Sequence, residues 1–159
     1  MIDTMDKIIS IDELTHKIIG CAMKVHRVLG NGFQEVIYQR ALEIEFRLQQ
    51  VNAVREMEMK IHYEGFEIGT RRVDFFVEDA VMVELKAVST GLEDVHKAQA
   101  INYLEAYGIA DGLLINFGKT SLEFKRVFNK NLVKRNSESK NPESKNPDNL
   151  VNLKNPVQE

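Results

Sequence analysis

The stretch Val81-Met82-Val83-Glu84-Leu85-Lys86-Ala87-Val88 constrains the fold more than any other part of the chain. An apolar run this short, broken by only two charged residues, reads as a strand with neighbours on both sides and not as a sheet edge. Side chains alternate faces along a strand, so Glu84 and Lys86 point the same way, two residues apart. On a largely covered face a carboxylate and an ammonium are costly unless they pair, bind a metal or line a wet cleft. Ten residues before Glu84 another acid, Asp74, stands in Arg72-Val73-Asp74-Phe75-Phe76-Val77. An acid on one strand and Glu-x-Lys on the next can hold a divalent cation beside a phosphodiester. Alternating charges on an exposed sheet face, and an Arg72–Asp74 salt bridge, fit the same residues, and both readings stay open at this level.

Composition narrows the class. At 159 residues, 43% apolar and 28% charged, the chain suits one soluble globular domain and is too short for two of ordinary size. The single cysteine, Cys21, excludes an internal disulfide framework and fits a reducing compartment. It lies among the apolar residues of a predicted helix, as a small core residue would. The N-terminus carries acids and no long apolar stretch, so it does not read as a secretory signal. No run approaches the roughly 18 apolar residues of a membrane span, so the expectation is a cytoplasmic protein with no membrane partner. A net charge of −3 argues against a broad basic surface for gripping nucleic acid non-specifically. It does not exclude a nuclease, because acidic ligands are neutralised by the metal they bind.

Ser10-Ile11-Asp12-Glu13 is a capping-box pattern that opens a helix, and Leu14, Ile18, Cys21, Ala22, Val25 and Leu29 follow as one apolar stripe. Gly30-Asn31-Gly32 ends it. A second helix is predicted from about Phe33 to Gln49, with Phe33, Ile37, Ala41, Ile44 and Leu48 as its core stripe. Alternation then marks a strand over Glu56–Tyr63, a short strand around Phe66–Ile68 broken at Gly69, and the strands carrying Asp74 and Glu84. Thr90-Gly91-Leu92-Glu93 predicts a helix start, the helix reaching Tyr107 with Leu92, Val95, Ala98 and Ile101 inward. Strands at Gly112–Phe117 and Ser121–Phe128 close the order α-α-β-β-β-β-α-β-β, an α/β fold with a mixed sheet flanked by helices. Residues 1–9 form an N-terminal extension and 10–130 the domain. From Lys134 the composition turns to Asn, Ser, Glu, Lys and Pro, with Glu-Ser-Lys-Asn-Pro repeated in tandem at 138–142 and 143–147. Residues 131–159 therefore read as a disordered low-complexity tail.

Further groups join the candidate site. His96, Gln99 and Tyr103 form a second stripe on the third helix, with hydrogen-bonding groups suited to phosphate or base contacts, although a polar helix surface looks the same. Glu35 and Tyr38 lie one turn apart at the start of the second helix. Glu35 also suits a helix dipole, and Tyr38 also suits packing. His26 and His96 serve equally as accessories or as structural histidines.

Gly32-x-x-Glu35-x-x-Tyr38 resembles the signature of the GxxExxY protein family. Val25-His26-Arg27-Val28-Leu29-Gly30, Arg72-Val73-Asp74, Val83-Glu84-Leu85-Lys86-Ala87-Val88, His96-Lys97-Ala98-Gln99-Ala100-Ile101-Asn102-Tyr103-Leu104 and Leu113-Leu114-Ile115-Asn116-Phe117-Gly118 extend the resemblance over about residues 8–130. Asn31 departs from it, standing where the family commonly has proline. That family is grouped with the PD-(D/E)XK nuclease-like superfamily, so the resemblance implies a restriction-endonuclease-like fold and a metal-dependent nuclease. It implies Asp74 and Glu84 as ligands of Mg²⁺ or Mn²⁺, Glu35 as a helix-borne acid near the metal, and Lys86 as water-orienting base or charge stabiliser. With them go the Leu85 carbonyl as a third ligand, and Gln99 and Tyr103 as groups that position the nucleic acid, DNA or RNA. Tyr38, His26 and His96 stand as further substrate contacts. The alternative is a module that keeps the fold without catalysis and binds nucleic acid or a protein partner, since the chain lacks a Lys/Arg-rich stripe.

Overall fold

A computed structural model describes residues 9–132; of the expected tail only Asn131 and Leu132 are described, in a helical turn with Lys130, and the rest lies outside the described residues. Helix α1 (Ile11–Leu29) starts where the capping box places it, with the Glu13 N–H donating to Ser10 Oγ at 3.1 Å. Helix α2 (Glu35–Leu48) follows the glycine turn, and strands β1 (Ala53–Tyr63), β2 (Phe66–Val77) and β3 (Val81–Lys86) come next. Helix α3 (Asp94–Tyr107) then crosses over to β4 (Asp111–Asn116), and β5 (Glu123–Phe128) ends the sheet. The strands lie in the order β1-β2-β3-β4-β5. β3 pairs antiparallel with β2 and parallel with β4, so the charged strand is central, as its apolar flanks require.

Each face of the sheet is covered. On one side Leu14, Ile18 and Val25 of α1 and Tyr38, Leu42 and Phe46 of α2 pack on Phe75, Val83, Leu85 and Ile115. On the other, Ala100 and Leu104 of α3 pack on Met59, Val73, Met82 and Val127. Cys21 is buried in the first cluster, as expected. Since Val83 and Leu85 face α1 and α2, alternation puts Glu84 and Lys86 on the α3 side with Met82. Among the described residues no helix is long and apolar enough to cross a membrane.

The fold class is the one expected, and several local readings are corrected. The short strand around Phe66 and the Asp74 strand are one continuous β2, because the ladder steps over Ile68 as a bulge, pairing Gly69 with Ile61 and Glu67 with His62. Gly69 relaxes the strand there without breaking it. In α2 the inward stripe is Tyr38, Leu42 and Phe46, and Phe33, Ile37, Ile44 and Leu48 are exposed. Aromatic bulk decides between the two stripes: Tyr38 stacks on Phe117 at 4.6 Å and Phe46 meets Phe75 edge-on at 5.1 Å. The polar residues on that face are bonded, Glu45 to Lys24 at 3.0 Å and Gln39 to Asp74 at 2.8 Å. Helix α3 begins at Asp94, not Thr90, because His96 Nδ1 accepts the Glu93 N–H at 2.9 Å and sets the first turn. Val95 and Ala98 consequently face outward.

Candidate active site

β2 and β3 pair only through Phe75–Val77 and Val81–Val83, so at Asp74 the two strands part. The Asp74 side chain takes over where the ladder stops: Oδ2 accepts the Leu85 N–H at 2.7 Å and Oδ1 accepts from Gln39 Nε2 at 2.8 Å. The ribbon turns over at this rung. On β2, Val73 packs on the α3 side and Phe75 on the α1–α2 side, although regular alternation would put them together. On β1, Met57 and Ala53 divide in the same way, and the intervening Glu56 has φ 54°, a left-handed conformation that allows the reversal. Asp74 is thereby aimed into the gap between strands. In an extended strand the N–H and C=O of one residue leave by the same edge, so the Leu85 carbonyl faces that gap too.

Gln39 is buried on α2, one turn after Glu35. Its Oε1 accepts from Arg55 Nη1 at 3.2 Å, and Arg55 is clamped in turn by Glu43. A chain of polar contacts thus runs Glu43–Arg55–Gln39–Asp74 to the backbone of Leu85. Gln39 was not foreseen from the sequence, because the outward stripe of α2 appeared to be the core one.

Glu84 is 4% exposed. Its Oε2 lies 3.6 Å from Arg71 Nη2, and its Oε1 is buried without a hydrogen-bond partner. Burial pushes its carboxyl up to about 7, the Asp74 charge adds to the rise, and Arg71 opposes it. Asp74 is also raised by burial, against the Leu85 N–H, Gln39, Arg71 and Lys86. Glu35, at the exposed first position of α2, is raised by loss of water while Lys86 pulls it down; Asp74 raises it further, and Arg71 and His96 lower it. Glu35, Asp74, Glu84 and Lys86 therefore share one electrostatic neighbourhood, with Lys86 half-buried at the end of β3.

Among the described residues no three His, Cys, Asp or Glu side chains stand close enough for a ready-made metal cage. Mg²⁺ needs only one or two carboxylates and keeps several waters. A pair of neighbouring acids with one orphaned oxygen, next to an available carbonyl, fits such an ion.

Two of the expected substrate contacts have partners within the fold. Tyr38 is 0% exposed, and its hydroxyl donates to the Gly30 carbonyl at 2.6 Å while accepting the Phe33 N–H at 3.2 Å. It ties down the turn that Gly30 and Gly32 make with φ 69° and 111°. His26 is buried with Nε2 2.9 Å from the Lys119 carbonyl, which joins α1 to the loop after β4. His96 is half-buried at the start of α3, where its Nδ1 accepts the Glu93 N–H. Gln99 is exposed on α3, and Tyr103 lies under the Arg71 guanidinium at 5.0 Å. The proposed Arg72–Asp74 pair is absent: Arg72 reaches Glu58 at 3.9 Å. Arg71, the residue that does enter the site, could have been flagged only as the other arginine of Arg71-Arg72.

The family model described as the PD-(D/E)XK nuclease superfamily matches residues 12–127. No curated protein matches the chain. Among solved structures, the crystal structure of SSO0001 is similar at 20% identity and a TM-score of 0.49, over 68% of this chain. The chain spans 60% of the length of that structure.

Proposed function

Because the chain belongs to the PD-(D/E)XK nuclease superfamily, we propose that it is a divalent-metal-dependent nuclease that hydrolyses phosphodiester bonds in nucleic acid. Within the superfamily we place it in the GxxExxY group, on Gly32, Glu35 and Tyr38, with residues 10–130 as the working domain. The lone, buried Cys21 suits the reducing cytoplasm. The observation that carries the reading is the Asp74–Glu84 pair at the parting of two strands, with one Glu84 oxygen buried and unpartnered.

Asp74, Glu84 and the Leu85 carbonyl would hold Mg²⁺ or Mn²⁺. When bound, the ion polarises the scissile phosphate and activates a water. Lys86 orients that water or stabilises charge developing on the phosphate. Asp74 is itself held rigid by Gln39 and the Leu85 N–H, so little reorganisation is needed as the reaction proceeds. Glu35 faces the site from α2, and His96, Gln99 and Tyr103 offer substrate contacts along α3.

Purified protein should cleave DNA or RNA only with Mg²⁺ or Mn²⁺. Lys86→Ala and Asp74→Asn, the latter keeping an oxygen for the Leu85 N–H, should each lower cleavage at least about a hundredfold. Unchanged cleavage in either variant would expose a contaminant. A second reading, a non-catalytic module with a protein partner, is favoured by the exposed apolar residues Ile37, Ile44 and Leu48 of α2 and Phe33 just before it. It takes over if no substrate is cut and calorimetry finds no metal affinity.

A further inference from the structure

Among the described residues, two buried side-chain polar atoms have no hydrogen-bond partner, and they face the same contact: Glu84 Oε1 and Arg71 Nε. The two residues meet through other atoms at 3.6 Å, too long for a hydrogen bond, so the ion pair is loose. Leaving a guanidinium N–H and a carboxylate oxygen both unpaired is costly in a buried site. The contact therefore satisfies neither partner, as expected of a pair that separates when the site is loaded.

Arg71 has an independent support. Its guanidinium lies on the Tyr103 ring, 5.0 Å from the centroid, and so keeps its place without Glu84. It sits on β2 three residues before Asp74, where β3 has already left and no strand covers that edge. A guanidinium presents a planar fork that matches two oxygens of a phosphate. Its charge acts on Glu35, Asp74 and Glu84 alike, so it lies within the acidic site and not beside it.

We propose that Arg71 grips a substrate phosphate, and that it rests against Glu84 until a divalent cation takes that carboxylate. The inference rests on the nuclease reading and adds a substrate contact to it. A cation on Glu84 removes Arg71's counter-charge and repels it. The fork, still lying on Tyr103, then turns its unpaired Nε–H and the Nη2 released by Glu84 to the phosphodiester.

The test uses the full chain, wild type and the variants Arg71→Ala and Arg71→Lys. Mn²⁺ is titrated by calorimetry without nucleic acid. Short labelled DNA and RNA oligonucleotides are titrated by anisotropy in Ca²⁺ over a range of salt. Arg71→Ala should bind Mn²⁺ about tenfold tighter, having lost a competing cation. It should bind the oligonucleotide about tenfold more weakly, and its salt slope should fall by about 1. Arg71→Lys should keep the slope while losing affinity, because an ammonium supplies the charge without the fork. The inference is overturned if Arg71→Ala keeps the slope, or if both variants lose Mn²⁺, since Arg71 would then only support Glu84. A wild-type chain that takes up no Mn²⁺ overturns the metal-dependent reading itself, whereas normal uptake with an unchanged slope removes Arg71's role alone.

Discussion

Burial lifts the Glu84 carboxyl from an ordinary 4.5 to about 7, helped by the Asp74 charge and resisted by Arg71. A folded-state value above the unfolded one means that the fold prefers this acid protonated. Its contribution to stability is complete below about pH 4.5 and disappears as pH rises through about 7. The loss is about 3 kcal/mol at most, on the usual 1.36 kcal/mol per unit. In EDTA, thermal unfolding of wild type should fall more steeply over that window than that of Glu84→Gln, and Mg²⁺ should restore wild type at high pH only. Parallel profiles would mean that Glu84 does not carry this burden. At this scale the sequence was informative wherever a charge interrupted an apolar run, as at Asp74, Glu84 and Lys86. It was silent on Gln39 and Arg71, whose importance comes from partners distant in the chain.

The two helices flanking the site illustrate what periodicity leaves undecided. α2 carries two stripes at helical spacing, and only the fit of Tyr38 against Phe117 and of Phe46 against Phe75 selects the inward one. α3 starts later than the Thr90 signal, because the His96 side chain bonds the Glu93 N–H and sets the first turn there. The selected face of α2 explains the Gly32-x-x-Glu35-x-x-Tyr38 spacing: the glycine permits the turn, the tyrosine fastens it, and the acid is delivered to the site at the first helical position. Tyr38→Phe removes both turn bonds and should cost about 1–3 kcal/mol in urea unfolding. Oligonucleotide affinity measured well below the unfolding midpoint should be unchanged, and a selective loss of affinity would return Tyr38 to the substrate contacts.

For the molecule as a whole, an acidic chain with paired carboxylates at its centre repels the polyanion it is proposed to cut. Nucleic acid should therefore bind measurably only when a divalent cation is present, even at low salt. Anisotropy in EDTA against Ca²⁺ reads this directly, and equal binding in both would point to a grip elsewhere on the surface. The layered architecture was legible because strand and helix periods differ and the charged strand had to be central. The turning-over of the β1–β2 ribbon at Glu56 and Asp74 was not, since no residue there is a glycine or proline and the reversal rests on a left-handed glutamate.

That rung has a consequence for descent. Asp74 closes the seam of the sheet as well as standing in the candidate site, because its oxygen replaces a missing backbone acceptor for Leu85. A lineage that abandoned cleavage would still need an oxygen at position 74 to keep its strands joined. Selection on folding alone can preserve such a residue.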